Sequence, residues 1–224
     1  MKKNGEKVKT ELSDKTKQII VVLVTIFAIL IAAFFYFGNK INSPEGAAKR
    51  FVKDYNNKKW SKIYPCYHFE EDTFINEKAY KKTMDRSNVK TLSAPEDFGK
   101  QAGEYVYQAQ KGNDTIFMHI AKSNKKYLLF FNKYTVTSVT DTATTITTVK
   151  LFTMPGVSIK VDGITAKAPE NMAGNTYYAR MFSGKHKITF EGAGASTDKK
   201  SYTFNTINKD SLGKIRKNKG ERQE

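Results

Sequence analysis

The strongest feature of the hydropathy pattern is an uninterrupted apolar run from Ile19 to Phe37. These nineteen residues include no charge, proline or glycine, and only Thr25 and Tyr36 carry a side-chain hydroxyl. A helix of this length is about 28 Å long, which matches the hydrocarbon thickness of a bilayer. The pattern predicts a transmembrane helix over residues 18–38 that contacts the lipid bilayer and follows a basic cytoplasmic lead, residues 1–17.

The length and the end of this run favour a retained anchor over a cleaved signal peptide. Signal peptides have an apolar core of about 7–15 residues and a small-residue cleavage site. Here the run ends in four aromatic residues, 34–37, of the kind that settle at the membrane–water interface. Both flanks are basic, so the positive-inside bias is shallow. We expect a single-pass plasma-membrane protein with its N-terminus in the cytoplasm and its C-terminal domains outside.

Helical periodicity dominates the beginning of the segment 43–140. Ser43 and Pro44 predict the start of a helix, because serine caps helix N-termini and proline suits the first turn. The apolar residues that follow recur at the spacing of one helix face, and they are Ala48, Phe51, Val52 and Tyr55. A short helix with Trp60 and Tyr64, then a third helix that begins near Asn76 or Thr73, complete the predicted helices.

Alternation with period two replaces this pattern after residue 103. The runs Glu104–Gln110 and Asp114–Ala121 predict a hairpin, and Lys126–Phe131 and Tyr134–Val139 predict two further strands. Helices followed by an antiparallel meander indicate an α+β domain, with the helices on one face of a curved sheet.

This order of elements resembles the nuclear transport factor 2-like superfamily. Within that superfamily it resembles the membrane-proximal N-terminal domain of low-affinity penicillin-binding proteins from Gram-positive bacteria. The resemblance implies a cone-like domain over residues 43–140. Some members are hydratases or isomerases with an Asp/His pair inside the cone, and many have no activity. The candidates for such a pair here are His68, His119, Asp72 and Asp114.

Spacing gives no support to catalysis by these candidates. Asp114 lies five positions before His119, so the two side chains are expected on opposite faces of a strand. His68 lies in a Tyr-His-Phe loop, where a structural role is expected. No nucleophile, base and orienting group can be assembled from spacing. We therefore predict no catalytic residue, and take Trp60, Tyr64, His68 and His119 as the candidates for a binding pocket.

The segment 141–208 has alternating strands separated by tight turns. The turns are predicted at Pro155-Gly156, Asp162-Gly163 and Ser183-Gly184. The predicted strands are Ile146–Phe152, Val157–Val161, Thr176–Phe182, Lys185–Phe190 and one that contains Tyr202 and Phe204. This pattern predicts a small all-β sandwich.

The same run of strands and turns resembles PEGA-type surface domains and the repeated domains of membrane proteins associated with teicoplanin resistance. The resemblance implies turns without chemistry. Asp162 is then expected to bond its own backbone rather than a metal ion, and His186 to face solvent. The zinc ribbon that often precedes the anchor in the teicoplanin-associated proteins is missing here, which argues against zinc sensing.

Composition narrows the function classes further. The net charge is +16, but no helix carries an arginine face and no aromatic–basic RNA-binding signature occurs, so no nucleic-acid partner is expected. Cys66 is the single cysteine, which excludes an intrachain disulfide and a Cys/His zinc set. No metal or cofactor is expected. The tail 209–224 is basic with little apolar content, and disorder is predicted there.

Together these patterns predict a non-enzymatic, membrane-anchored, extracytoplasmic accessory protein of the Gram-positive cell envelope. Its expected partner is a cell-wall polymer or a membrane protein. Two alternatives stay open. One is a scaffold subunit of a conjugation or secretion complex, and the less favoured one is an enzyme that works in a cone pocket with His119 or His68 as base.

Overall fold

The computed structural model describes residues 13–128, 130–141, 144–152, 157–166, 172–173, 176–192 and 200–205. Most of the predicted lead 1–17 and all of the predicted tail 209–224 lie outside the described residues. The helices are α1 (Asp14–Ile41), α2 (Pro44–Asn56), α3 (Trp60–Ile63) and α4 (Glu77–Arg86), with a 3₁₀ turn at Tyr64–Tyr67 after α3.

The strands follow the helices in the chain. They are β1 (Glu96–Gln101), β2 (Glu104–Lys111), β3 (Asp114–Tyr127), β4 (Phe131–Asp141), β5 (Ile146–Phe152), β6 (Val157–Val161), β7 (Ile164–Thr165), β8 (Met172–Ala173), β9 (Thr176–Phe182), β10 (Lys185–Gly192) and β11 (Lys200–Asn205). The combination of helices and antiparallel sheets confirms the predicted α+β content.

The apolar run forms the middle of α1, and no residue of α1 is buried by the rest of the described chain. The helix begins four residues before and ends three residues after the predicted span 18–38. Asp14 in its first turn and Lys40 in its last turn suit the helix dipole, so polar residues continue it at both ends. Its length and composition suit a membrane span, and a signal sequence has the same properties.

Only Asn42 and Ser43 separate α1 from α2, and both make contacts that fix the junction. The Asn42 side-chain amide donates to the carbonyl of Gly38 at 2.8 Å, and the Ser43 hydroxyl donates to the carbonyl of Lys40 at 2.7 Å. Arg50 on α2 donates to the last carbonyl of α1, at Ile41, and at 3.1 Å to the carbonyl of Tyr134 on β4. The folded part of the chain is therefore held directly at the end of α1.

Helix caps explain why α2 and α4 begin where they do. The Ser43 hydroxyl accepts from the amide of Gly46 at 3.0 Å, and the Asn76 side chain accepts from the amide of Ala79 at 2.9 Å. The predicted apolar face of α2 is the face that is buried. The predicted helix starts at Ser43 and Trp60 are confirmed, and of the two starts predicted for the third helix, Asn76 is correct and Thr73 is not.

The strands β1 to β4 form one antiparallel sheet in chain order. One prediction here is wrong: Lys126–Phe131 is not a strand of its own. Lys126 and Tyr127 end β3, and Phe131 begins β4, with Tyr127 paired to Phe131 across the turn. Strand β1 was not predicted, because all of its side chains are exposed and it has no buried alternation.

The remaining strands form two further sheets, in the orders β5-β9-β8 and β11-β10-β6-β7. The predicted strands at Ile146, Val157, Thr176, Lys185 and around Tyr202 are all present. Buried side chains from both sheets meet in one cluster, the second core cluster. Its members are Val149, Leu151, Ile159, Val161, Tyr177, Ala179, Met181 and Ile188, together with Phe74 from the loop before α4.

The first core cluster lies between the helices and the sheet β1–β4, and it crosses the predicted boundary at residue 141. Its largest members from the helices and the 3₁₀ turn are Phe51, Tyr55, Trp60, Tyr64, Tyr80 and Met84. Phe182, at the end of β9, belongs to this cluster and is fully buried. We call residues 43–141, up to the end of β4, the first region, and the described residues from 144 to 205 the second region. Phe182 of the second region thus packs in the first core cluster, and Phe74 of the first region packs in the second core cluster.

Candidate functional site

The four residues predicted for a pocket are not brought together by the fold. Trp60 and Tyr64 are buried in the first core cluster. His68 lies after the 3₁₀ turn, where its Nε2 is 2.5 Å from the carbonyl oxygen of Thr137 on β4. His119 lies on β3, on the face turned away from the core. Two of the candidates are therefore core aromatic residues, His68 contacts the backbone of β4, and His119 lies on the outer face of β3.

The face of His119 follows directly from strand alternation. Ile116, Met118 and Ile120 have no exposed surface and point into the first core cluster, so His119 points outward. Its Nδ1 is 3.6 Å from Oε2 of Glu104 on the neighbouring strand. Among the described residues, neither His119 nor His68 forms an ion pair with an aspartate. The arrangement expected for a hydratase or isomerase is therefore not formed by these candidates.

A close-packed aromatic group fills the interior between the helices and the sheet. The Trp60 ring meets Tyr55 and Tyr80 edge-on at centroid distances of 5.3 and 6.2 Å. Its indole nitrogen donates to Oδ1 of Asp85 at 2.8 Å. Phe182 contacts Tyr80 at 5.3 Å from the side of the second region. Trp60 therefore acts in packing, with its one polar atom satisfied.

The polar centre of the first region is the carboxylate of Asp141, at the end of β4. One oxygen, Oδ2, accepts from the ammonium of Lys111 at 2.9 Å, from the hydroxyl of Tyr67 at 3.2 Å and from the hydroxyl of Thr144 at 2.6 Å. The Asp141 side chain has no exposed surface, and that of Lys111 is 11% exposed. A buried carboxylate with a cation and two hydroxyl donors is well compensated.

Several tyrosines surround this centre. Burial raises the pKa of Tyr55, Tyr67 and Tyr80, and the negative charge of Asp141 acts in the same direction on each. All three phenols stay protonated at physiological pH. Within the described part of the chain, the hydroxyl of Tyr55 has no hydrogen-bond partner. The centre consequently offers neutral donors and no phenolate that could act as a base.

A second buried carboxylate, Asp162, lies at the turn between β6 and β7. Its Oδ2 is 2.8 Å from Nδ1 of His186, and its Oδ1 accepts from the backbone amide of Lys187 at 2.8 Å. His186 also places Nε2 at 2.6 Å from the carbonyl oxygen of Phe182. Two acceptors favour a doubly protonated ring, whereas burial opposes its charge and lowers the pKa of His186.

Contacts from α4 complete this second centre. The guanidinium of Arg86 forms an ion pair with Asp162, whose side chain is 3% exposed. The ammonium of Lys82, one turn earlier on α4, donates to the backbone carbonyl of Asp162 at 2.5 Å. The expectations for this turn were wrong in two respects. His186 is buried rather than exposed to solvent, and Asp162 joins three separate elements instead of bonding only its own turn.

The chemistry available in these centres is that of structural ion pairs. In the part of the chain that the structure describes, no three histidine, cysteine, aspartate or glutamate side chains lie close enough to hold a metal ion. Cys66 is partly buried on the first core cluster and its thiol donates to the carbonyl of Lys62 at 3.7 Å. Burial raises the pKa of this thiol, which makes it a poor nucleophile at neutral pH.

Sequence reasoning missed Lys111, Asp141 and Arg86. Lys111 and Asp141 are 30 positions apart, and Arg86 and Asp162 are farther apart still, so no local motif connects them. One usable signal existed for Lys111, which ends a strand just before a glycine turn with its neighbour Ala109 inward. Lys111 lies two positions after Ala109, so its side chain begins on the same inward face of the strand and is only partly exposed to solvent.

Comparisons with protein-family models, with curated proteins and with solved structures give no match. The geometry of the chain therefore carries the functional conclusion.

Proposed function

We propose that this protein is a single-pass membrane protein whose folded part lies outside the cytoplasm and binds a partner without catalysis. The partner is a protein or a cell-wall polymer of the Gram-positive envelope. The observation that carries this proposal is that no residue of α1 is buried by the described chain, while only two hydrogen-bonded residues, Asn42 and Ser43, connect α1 to the folded part. An apolar helix that the protein leaves uncovered requires another apolar environment.

The state of the buried charged groups supports a binding role over catalysis. Asp141 and Asp162 each hold a cation and further donors, and burial keeps the nearby phenols protonated. A general base or nucleophile needs a free lone pair directed at a space for substrate. The interior around Trp60 and Tyr80 is instead filled with aromatic rings.

The arrangement of the elements supports the two domain types that the sequence resembles. We propose that α2 to α4 cover a curved sheet β1–β4 as in cone-like, nuclear transport factor 2-like domains. We also propose that the two later sheets pack as a PEGA-like sandwich around the second core cluster, to which both sheets contribute.

The first experiment tests the anchor and its orientation. A peptide tag after Glu224 is expected to be accessible to antibody on intact cells, whereas the same tag before Met1 is expected to need permeabilised cells. The protein is expected to stay in the membrane pellet at alkaline pH. Release of a shorter protein into the medium would identify α1 as a signal peptide and contradict the proposal.

The second experiment tests the class of partner. Purified full-length protein in detergent is mixed with isolated cell walls and pelleted at low and high salt. The basic surface predicts binding that weakens as salt screens the charges. Cross-linking in intact cells tests the protein partner, and a single set of membrane subunits that co-purifies would favour the conjugation or secretion scaffold. If the protein neither binds cell walls nor forms cross-links to a partner, the proposed binding role is contradicted.

A further inference from the structure

The turn between β3 and β4 presents an exposed apolar surface next to α1. Outside α1, five large apolar side chains are exposed among the described residues, and three of them lie at this turn. They are Tyr127, Leu128 and Phe130, whose surfaces are 50%, 53% and 69% exposed. We call these three residues the hairpin tip. A concentration of large apolar groups at one turn predicts burial against something outside the chain.

Aromatic contacts fix the hairpin tip against the last turns of α1. The ring of Phe130 lies 6.3 Å from that of Phe35, and the ring of Phe131 lies 5.3 Å from Phe34 and 5.8 Å from Phe35. Phe131 is buried, and a Cβ at Gly38 would overlap its ring. The glycine therefore lets the hairpin approach the helix, and the position of the tip along α1 is determined.

This contact sets the depth of the hairpin tip relative to the apolar run. Phe35 lies two residues before the end of that run and five residues before Lys40. Five residues of helix rise correspond to about 7–8 Å. If the ammonium of Lys40 marks the headgroup level, Phe130 lies below that level, at the boundary between headgroups and acyl chains.

The charges around the hairpin tip agree with this placement. Lys122, Lys125, Lys126 and Lys133 are exposed on the two strands that lead to the turn. No acidic residue occurs between Asp114 and Asp141. An apolar end with a surrounding set of lysines matches an interfacial element, because lysine stems extend along apolar surface while their ammonium groups meet anionic headgroups.

We propose that the hairpin tip inserts into the interfacial layer of the membrane leaflet from which α1 emerges. The inference rests on the proposed role of α1 as a membrane anchor. Together with Arg50, which ties α2 to the end of α1 and to β4, the inserted tip holds the sheet β1–β4 at the membrane surface in one orientation. A partner that binds the folded part of the protein is then bound close to the membrane.

Depth-dependent fluorescence quenching in vesicles tests the inference. Full-length Cys66→Ser protein is reconstituted into vesicles of phosphatidylcholine and phosphatidylglycerol, with one new cysteine labelled by an environment-sensitive dye. The reporter is Leu128→Cys, with Tyr127→Cys as a second reporter. Leu30→Cys in α1 is the anchor control. Asn113→Cys is the aqueous control, because it directly precedes the far end of β3, about 45–50 Å along the strand from the tip.

The expected result is severalfold stronger quenching by lipid-borne nitroxides at both tip reporters than at Asn113→Cys, with deep quenching at Leu30→Cys. Quenching at Leu30→Cys with tip reporters as accessible as Asn113→Cys would overturn the inserted tip and leave the anchor intact. Tip reporters shielded from both lipid-borne and aqueous quenchers would mean that a protein covers the tip, which also overturns it. No quenching at Leu30→Cys would overturn the anchor and the inserted tip together.

Discussion

The two buried carboxylates of this protein have similar surroundings, but the cation of Asp141 comes from its own region and the cation of Asp162 comes from the other region. Asp141 accepts from Lys111, Tyr67 and Thr144, all of which belong to the first region or border it. Asp162 lies in the second region, and its cation, Arg86, comes from α4 in the first. Both carboxylates are fully enclosed, and both have a cation and hydrogen-bond donors.

The difference shows that Asp162, and not Asp141, is the buried carboxylate whose cation comes from the other region. Asp141 connects the end of β4 to the 3₁₀ turn and to β2, so it stabilises one region internally. Asp162 connects β6, β10 and α4, and Phe182 continues the same connection into the first core cluster. The predicted boundary at residue 141 divides the sheets, yet the packing and the ion pairs cross it. The two regions are therefore expected to unfold together.

The largest expected effect comes from removing the aromatic side chain that crosses the boundary. Phe182→Ala is expected to lower the free energy of unfolding by about 3–5 kcal/mol, because a fully buried phenylalanine leaves a cavity. Fluorescence of Trp60, the only tryptophan, reports on the first region, and denaturant unfolding of the full-length protein in detergent is the measurement. Although Phe182 belongs to β9, the Trp60 transition is expected to move.

Phe98→Ala is the matched control, since Phe98 on β1 is 49% exposed and a change of under about 0.5 kcal/mol is expected there. Suppose that Phe182→Ala leaves the Trp60 transition unchanged, while the circular dichroism transition of the strands moves to a lower denaturant concentration. The two regions would then unfold independently, and the prediction that they unfold together would be wrong.

A smaller effect is expected for the charge of Asp162. Asp162→Asn keeps the shape of the side chain and removes the negative charge that faces Arg86 and His186. We expect a loss of about 1.5–3 kcal/mol, the range for hydrogen bonds to charged groups. Asparagine also tolerates the positive φ of 55° at this position, so the change tests charge rather than backbone strain. The measurement is again the Trp60 unfolding midpoint.

Asp114→Asn provides the control for Asp162→Asn, because Asp114 is exposed at the first position of β3. Equal midpoints for the two variants would show that the ion pair with Arg86 contributes nothing net, and that apolar packing alone joins the regions.

The smallest effect concerns Cys66, whose thiol pKa is raised by burial. Because the thiolate is the reacting form, alkylation by iodoacetamide at neutral pH is expected to be several-fold slower than in the unfolded chain and to rise as pH increases above the ordinary thiol range. Phe182→Ala is expected to speed the reaction by loosening the first core cluster, against which Cys66 packs. Equal alkylation rates in the native and the unfolded protein would contradict the burial of the Cys66 thiol.

Much of the fold could be predicted from the sequence because its signals are local. The caps at Ser43 and Asn76, the apolar face of α2 and the alternation in β5, β6 and β9 each involve residues within one element. The run Lys126–Phe131 was wrongly predicted to be one strand for the same reason: a short apolar run gives the local signal of a buried strand even where it contains a turn.

The candidate sites could not be predicted with the same success. Trp60 and Tyr64 were predicted as candidates for a binding pocket, but the fold places both in the first core cluster, and His68 and His119 lie outside that cluster. The pairs Lys111–Asp141 and Arg86–Asp162 depend on how sheets and helices meet. Spacing along a chain carries no information about a partner that packing brings from another element.

The sequence by itself determined the apolar run Ile19–Phe37, the helix starts and most of the strands, because hydropathy period and capping act over a few residues. Only the tertiary structure decided that Phe182 enters the core of the other region, that His186 is buried, and that the hairpin tip lies beside Phe35. Those outcomes depend on contacts between distant segments, where a side chain is fixed by the shape of the space that several elements enclose together.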